Sequence, residues 1–244
     1  MSISMFIGWP GTGKTQTMMD MVAAQSSLHR FFIVDRADEW GILAWDDNGN
    51  QIRNPRWRGA QLPIYTIPPE ILDLYLAGKI DEIMRWFEEQ PQSGMLTFLY
   101  PWTGVQVADL ALKVGGVVYV DDEIDLEAEH SSWKLNPMRE MVHRGRHLPN
   151  YYGQICEAHI YGASRRPQSI HPDLTAIANQ AFVFRVAGAL TLNRFRSDSW
   201  IEDDEWDVIR NLPNLHFKHW PSNEYHIVKD AFTRTKNREG KLKK

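Results

Sequence analysis

Gly8-Trp9-Pro10-Gly11-Thr12-Gly13-Lys14-Thr15 fits the pattern G-x-x-x-x-G-K-[ST] at every position. The apolar run 3–7 before it predicts a short buried strand, and residues 14–24 after it predict a helix, so the octapeptide joins strand to helix. Glycines at 8, 11 and 13 let successive backbone amides turn toward one point. The start of the helix adds the positive end of its dipole to the same point. That is a cradle for phosphates, lined by Gly8, Pro10, Gly11, Thr12, Gly13, Lys14, Thr15 and Gln16. Lys14 is expected to reach the β- and γ-phosphates and the Thr15 hydroxyl to hold Mg²⁺, with ATP as the nucleotide.

A phosphate loop of this kind needs a metal-side acid at the end of a neighbouring strand. The apolar run 117–120 followed by Asp121-Asp122-Glu123 supplies strand and acids together. One aspartate would hold the Mg²⁺ shell and the acid next to it would polarise the attacking water. The register stays open: Asp122 with Glu123 is the first choice and Asp121 with Asp122 the second. An acid beside the metal aspartate favours hydrolysis over phosphoryl transfer to a small acceptor.

Outward from these two segments the chain alternates. Strands are expected at 31–34, 95–100, 157–163 and 181–186, and helices at 69–76, 80–89, 105–114, 136–147 and 172–178. Such alternation implies a mostly parallel sheet with helices on both faces, here an α/β fold of the P-loop NTPase, RecA/ASCE-like type. The last third changes character. A helix is expected at 203–212, then an antiparallel pair at 215–220 and 225–228. Residues 46–61 are polar and rich in Gly, Asn, Pro and Arg, and read as a long loop or hairpin inserted in the core. One ATPase domain over 1–232 and a basic tail over 233–244 follow from this division.

The chain has 244 residues, 43% of them hydrophobic and 24% charged, enough for a sheet buried on both faces. A net charge of −4 argues against coating nucleic acid with the whole surface, so any such contact must be local. The single Cys156 cannot form an internal disulfide. The start MSISMFIGWP lacks a secretion signal, and no run reaches the 18 apolar residues of a membrane span. The expected location is the cytoplasm, a host cytoplasm if the source is a virus, with association to a virion.

Five elements in this order resemble the FtsK/HerA superfamily of DNA-pumping ATPases: the phosphate loop, Asp35 with Glu39-Trp40, the acids 121–123, Arg144-Gly145-Arg146, and Ala163-Ser164-Arg165-Arg166-Pro167. The resemblance covers roughly residues 1–200. It departs from the family where Arg165 stands in place of a sensor glutamine and where 148–156 looks inserted. The resemblance implies a homo-oligomeric ring, a pentamer or hexamer, in which an arginine of one subunit approaches the γ-phosphate of the next; Arg146 and Arg166 match best. It also implies sequence-independent contacts to double-stranded DNA phosphates. With the phosphate loop beginning at Gly8, the chain looks like a bare motor. It is similar in this to the genome-packaging ATPases of tailless, membrane-containing phages, which implies a capsid or portal-vertex protein as partner. Two rival classes are an assembly or secretion ATPase of the filamentous-phage morphogenesis type and a slow P-loop regulatory switch. Glu140, His143 and His147 share one helical face and could hold zinc, although a phosphate-facing or inter-subunit surface suits the two intervening arginines better.

Overall fold

The structure, a computed structural model, describes residues 2–45, 51–57, 63–128, 133–144, 147–186 and 188–228. Strand β1 (Ser2–Ile7) runs through the phosphate loop into helix α1 (Lys14–Gln25). Then come β2 (Arg30–Asp35), a hairpin of β3 (Ile42–Trp45) and β4 (Gln51–Arg53), β5 (Ile64–Thr66), α2 (Pro69–Leu76), α3 (Ile80–Glu89), β6 (Gly94–Leu99), α4 (Gly104–Val114) and β7 (Val117–Asp121). The second half contains α5 (Pro137–Arg144), a small hairpin of β8 (Leu148–Pro149) and β9 (Ile155–Cys156), β10 (His159–Ser164), α6 (Pro172–Ala176), β11 (Gln180–Phe184), α7 (Ala189–Ser197), α8 (Trp206–Arg210), β12 (His216–Trp220) and β13 (Glu224–Ile227).

Nine strands form one sheet in the order β13-β12-β11-β1-β10-β7-β2-β6-β5. The seven from β11 to β5 are parallel, and β12 and β13 extend the sheet antiparallel at one edge. The mostly parallel α/β sheet and its closing antiparallel pair are therefore as expected. One detail differs: β10 lies between the phosphate-loop strand β1 and the acidic strand β7, so these two are not neighbours.

Side chains alternate across a strand, and this alternation divides the core into two layers. Phe31 and Ile33 of β2 and Val118 and Val120 of β7 face α1, where they pack with Met18, Met19 and Val22. Phe32 and Val34, with Val117 and Tyr119, face the other way, toward buried residues of α2, α3, α4 and α5. Each such fully buried side chain contributes roughly 1.5–3 kcal/mol by leaving water. Both layers are needed, because a parallel sheet is apolar on both faces.

The same period of two decides the register of the acids. Continuing past Val118 and Val120, Asp122 falls on the α1 face, whereas Asp121 falls with Tyr119 on the opposite face. Asp121 is fully buried there. Arg36 grips it with two bonds, Nη1 to Oδ1 at 2.6 Å and Nη2 to Oδ2 at 3.0 Å, and reaches Glu127 Oε1 at 2.6 Å. The Tyr119 hydroxyl and the Glu123 backbone N–H also donate to Asp121, each at 2.9 Å. The expectation that Asp121 joins the metal site is thereby corrected: its oxygens are committed to a buried ion pair on the far side of the sheet.

Three strands or helices go beyond the expectations: β3, the edge strand β5 and helix α7. The segment 148–156 is the β8–β9 hairpin. Helix α5 is described to Arg144, and Arg146 lies outside the described residues, as do most of 46–61 not in β4 or its following turn and the whole of 233–244.

Gly104 starts α4 against the Asp121 network. A Cβ there would stand 2.5 Å from Glu127 Cγ, 2.6 Å from the Tyr119 hydroxyl and 2.8 Å from Asp121 Oδ2. Gly104→Ala is expected to destabilise the protein by about 1–3 kcal/mol, because neither the helix nor a buried ion pair can step aside. Urea unfolding measures this; an unchanged midpoint would show that the network yields freely.

Candidate nucleotide site

Three hydrogen bonds anchor the phosphate loop to the ends of its neighbours. Gly8 N–H donates to the Ser164 carbonyl of β10 at 3.1 Å, and Trp9 N–H to the Arg185 carbonyl just beyond β11 at 3.0 Å. On the outer side, the Leu215 N–H donates to the Thr12 carbonyl at 3.1 Å, while the Leu215 carbonyl accepts from Val228 N–H at 2.7 Å. Leu215 adopts φ +67°, a left-handed conformation that costs a bulky residue free energy and persists only when its surroundings enforce it. Gly13 sits at φ +108° immediately before α1, a backbone geometry that suits glycine, with Val228, Leu215 and Phe184 packed around it.

The loop opens on a cleft of about 280 Å³. Its walls come from four places: Pro10, Gly11, Gly13, Lys14, Thr15 and Gln16 of the loop and first helical turn; Asp35, Arg36, Glu39 and Trp40 after β2; Asp122, Glu123 and Asp125 after β7; and Arg165 after β10. Arg56 and Leu215 complete it. The sheet order thus brings loop and acids together although a strand separates them.

The central contact is between Thr15 and Asp122, whose Oγ1 and Oδ2 lie 2.6 Å apart with the hydroxyl donating. Lys14 is buried and its Nζ donates to the Trp9 carbonyl at 3.0 Å. Burial holds the Lys14 ammonium below its usual pKa range, against the attraction of Asp122. Burial likewise pushes Asp122 up to about 6, with the Thr15 bond and Lys14 opposing. A buried ammonium, a hydroxyl and a half-buried carboxylate at the start of a helix form a donor set suited to a triphosphate and a hard divalent cation. Thr15 and Asp122 would hold the cation; Lys14 and the loop amides would hold phosphate.

Of the other residues singled out from sequence, Glu123 and Arg165 meet: Arg165 Nη2 donates to Glu123 Oε1 at 3.0 Å, on the rim of the cleft. Arg166 is exposed and outside the cleft lining, with its backbone N–H bonded to Ser164 Oγ at 2.8 Å. His143 pairs with Asp173 of α6 at 2.9 Å and Glu140 with Arg144 at 3.2 Å; no group of three His, Cys, Asp or Glu side chains suited to a metal occurs among the described residues. Trp9 is 43% exposed, with the Arg185 guanidinium 5.7 Å from its ring centre.

Sequence reasoning did not single out Arg36, Arg56 or Asp125, all of which line the cleft. Asp125 is 4% exposed, and its Oδ1 has no hydrogen-bond partner among the described residues. Burial raises its pKa, against a bond from Ser164. Its signal was the extra acid two places beyond Glu123; Arg36 and Arg56 had none, because their partners lie far away in sequence.

No family model and no curated protein sequence matches the chain. Solved structures do. The genome packaging NTPase B204 from Sulfolobus turreted icosahedral virus 2, bound to ATP-γ-S, superposes with a TM-score of 0.59 at 14% identity, over 93% of this chain and 95% of that one. The DNA-packaging ATPase B204 from Sulfolobus turreted icosahedral virus gives 0.56 at 14% identity, over 93% and 96%. VirB4 of Thermoanaerobacter pseudethanolicus gives 0.50 at 11% identity, over 96% and 90%. The chain accordingly shares its fold with these packaging NTPases and with VirB4.

An acid whose folded pKa lies above its ordinary 3.8 is less costly to the fold when protonated, so ionising Asp122 removes stability from the empty protein as pH rises from about 4 to about 6. Asp122→Asn is therefore expected to raise the Tm of the nucleotide-free protein at pH 7.5 while abolishing Mg²⁺-dependent nucleotide binding. A lower Tm together with intact Mg²⁺ dependence would mean that the carboxylate serves the fold and not the cation.

Proposed function

We propose that this protein is an ATPase that couples hydrolysis to the movement of double-stranded DNA, in the manner of a viral genome-packaging motor. The observation that carries the reading is the Thr15–Asp122 contact at 2.6 Å with Lys14 in the same cleft, within a fold shared with packaging NTPases. Those NTPases have been captured with ATP-γ-S and AMPPCP, which supports a nucleoside triphosphate as the ligand of this cleft.

The chain's own residues divide the work. Loop amides and Lys14 bind the β- and γ-phosphates, Lys14 exchanging the Trp9 carbonyl for phosphate oxygen. Thr15 and Asp122 hold Mg²⁺, which when bound offsets the phosphate charge. Glu123, adjacent to Asp122, accepts a proton from the water that attacks the γ-phosphorus, while the bond to the β-phosphate oxygen breaks and ADP leaves. Arg165 is bonded to Glu123, so this ion pair has to open before Glu123 can take that proton. Exposed Arg166 is free to meet a neighbouring subunit in a ring, and Arg146 is the second candidate for that part. DNA would be held through its phosphates by basic side chains, and a capsid or portal-vertex protein would seat the ring. Among the described residues no helix is long and apolar enough to cross a membrane.

Lys14→Ala is expected to abolish turnover with the fold intact by circular dichroism, and Glu123→Gln to bind ATP with kcat reduced at least ~100-fold. Double-stranded DNA at low salt is expected to stimulate wild-type hydrolysis. Wild-type kcat in Lys14→Ala would refute the site, whereas hydrolysis indifferent to DNA would leave an ATPase but remove the motor.

A further inference from the structure

We propose that Arg56, carried by the inserted segment 51–57, is a cis-acting ligand of the terminal phosphate, held by Glu39 until nucleotide arrives; this rests on the nucleotide site proposed above. The segment reads as a polar excursion in sequence, yet it brings one guanidinium to the wall of the cleft.

The backbone around Arg56 is fixed by contacts that do not involve its side chain. Its carbonyl accepts from Gln16 Nε2 at 3.0 Å, one residue after Thr15, and its N–H donates to Asn54 Oδ1 at 3.0 Å. Asn54 Nδ2 donates to the Glu39 carbonyl at 2.6 Å. Buried Trp57 donates through Nε1 to the Trp40 carbonyl at 3.1 Å, and the two indoles meet edge to face at 5.7 Å. The segment is thus clipped both to the first turn of α1 and to the loop after β2. The guanidinium adds one ion pair, Nη1 to Glu39 Oε2 at 2.5 Å, with both side chains partly exposed to the cleft. Three hydrogen bonds to the rest of the protein already place the segment without that ion pair.

Its position suits another purpose. Of the four cations lining the cleft, Arg36 is tied to buried Asp121, Arg165 sits on Glu123 and Lys14 is the loop lysine. Arg56 is the one brought in from outside the main sheet. A guanidinium offers five N–H donors in a planar fork, and a terminal phosphate, which carries more negative charge than a carboxylate, accepts two of them side by side. Arrival of a triphosphate therefore favours exchange of Glu39 for a phosphate oxygen, and supplies in cis a positive charge close to where negative charge builds up during transfer.

The test uses the full-length protein and Arg56→Gln, which removes the fork but leaves every backbone clip. Titration with Mg-AMPPCP and Mg-ADP is paired with single-turnover hydrolysis and Tm. Arg56→Gln is expected to weaken AMPPCP at least ~10-fold more than ADP and to slow hydrolysis ~100-fold at unchanged Tm. Arg56→Lys should recover part of both losses. Equal losses for the two nucleotides, a parallel drop in Tm, or wild-type behaviour of Arg56→Gln would each overturn the proposal while leaving the nucleotide site standing. Mixing Arg56→Gln with Lys14→Ala chains should restore no hydrolysis; recovery would place Arg56 on a neighbour's nucleotide and overturn the cis assignment. If wild type binds neither nucleotide, or Lys14→Ala binds both as well as wild type, the site itself is wrong.

Discussion

Thr15 and Asp122 meet at 2.6 Å although β1 and β7, the strands that lead into them, are not neighbours. The sheet has to satisfy that distance, and it does so by inserting β10 between β1 and β7 and covering the α1 face with the first helical turn. The alternation of a pleated strand then leaves no choice about which acid is presented. Asp122 faces the helix; Asp121 cannot, and it serves instead as the buried counter-charge of Arg36. Two adjacent aspartates thus have opposite surroundings for one geometric reason.

A second regularity is that much of the charge in the cleft is matched within the molecule. Glu123 lies against Arg165, Glu39 against Arg56, Lys14 near Asp122. A cleft with several acids and several cations would otherwise be costly to keep empty, since like charges there are poorly screened. Matching lowers that cost, and a polyanion bound there would have to exchange partners with these groups, not neutralise a bare cationic pocket. Asp125 is the exception, with one buried oxygen lacking a partner among the described residues.

Much of this was legible in the sequence where the information is local. The phosphate loop is a continuous octapeptide whose conformation follows from its glycines, and the apolar runs of β2, β6, β7 and β10 announce buried parallel strands. What was hidden depends on distant partners. Whether Asp121 or Asp122 faces α1 needs the orientation of β7, which no stretch of β7 encodes. Edge strand β5 is three residues flanked by Pro63 and, two residues on, Pro68, too short for a periodicity. Helix α7 carries Arg194 and Arg196 around buried Phe195, so its polarity masks its packing face. In the segment read as a polar insertion, Trp57 was the one aromatic residue, and it anchors the segment against Trp40.

The strained turn at Leu215 ties the phosphate loop to the edge of the sheet. Thr12 is joined through the two backbone bonds of Leu215 to Val228, the residue after β13. A shift of the loop around phosphate must therefore either break one of those bonds or be passed on as a tilt of the outermost hairpin. Loop and outermost hairpin are thus joined at Leu215, a residue that also lines the cleft, so the edge of the sheet and the cradle share one mechanical support.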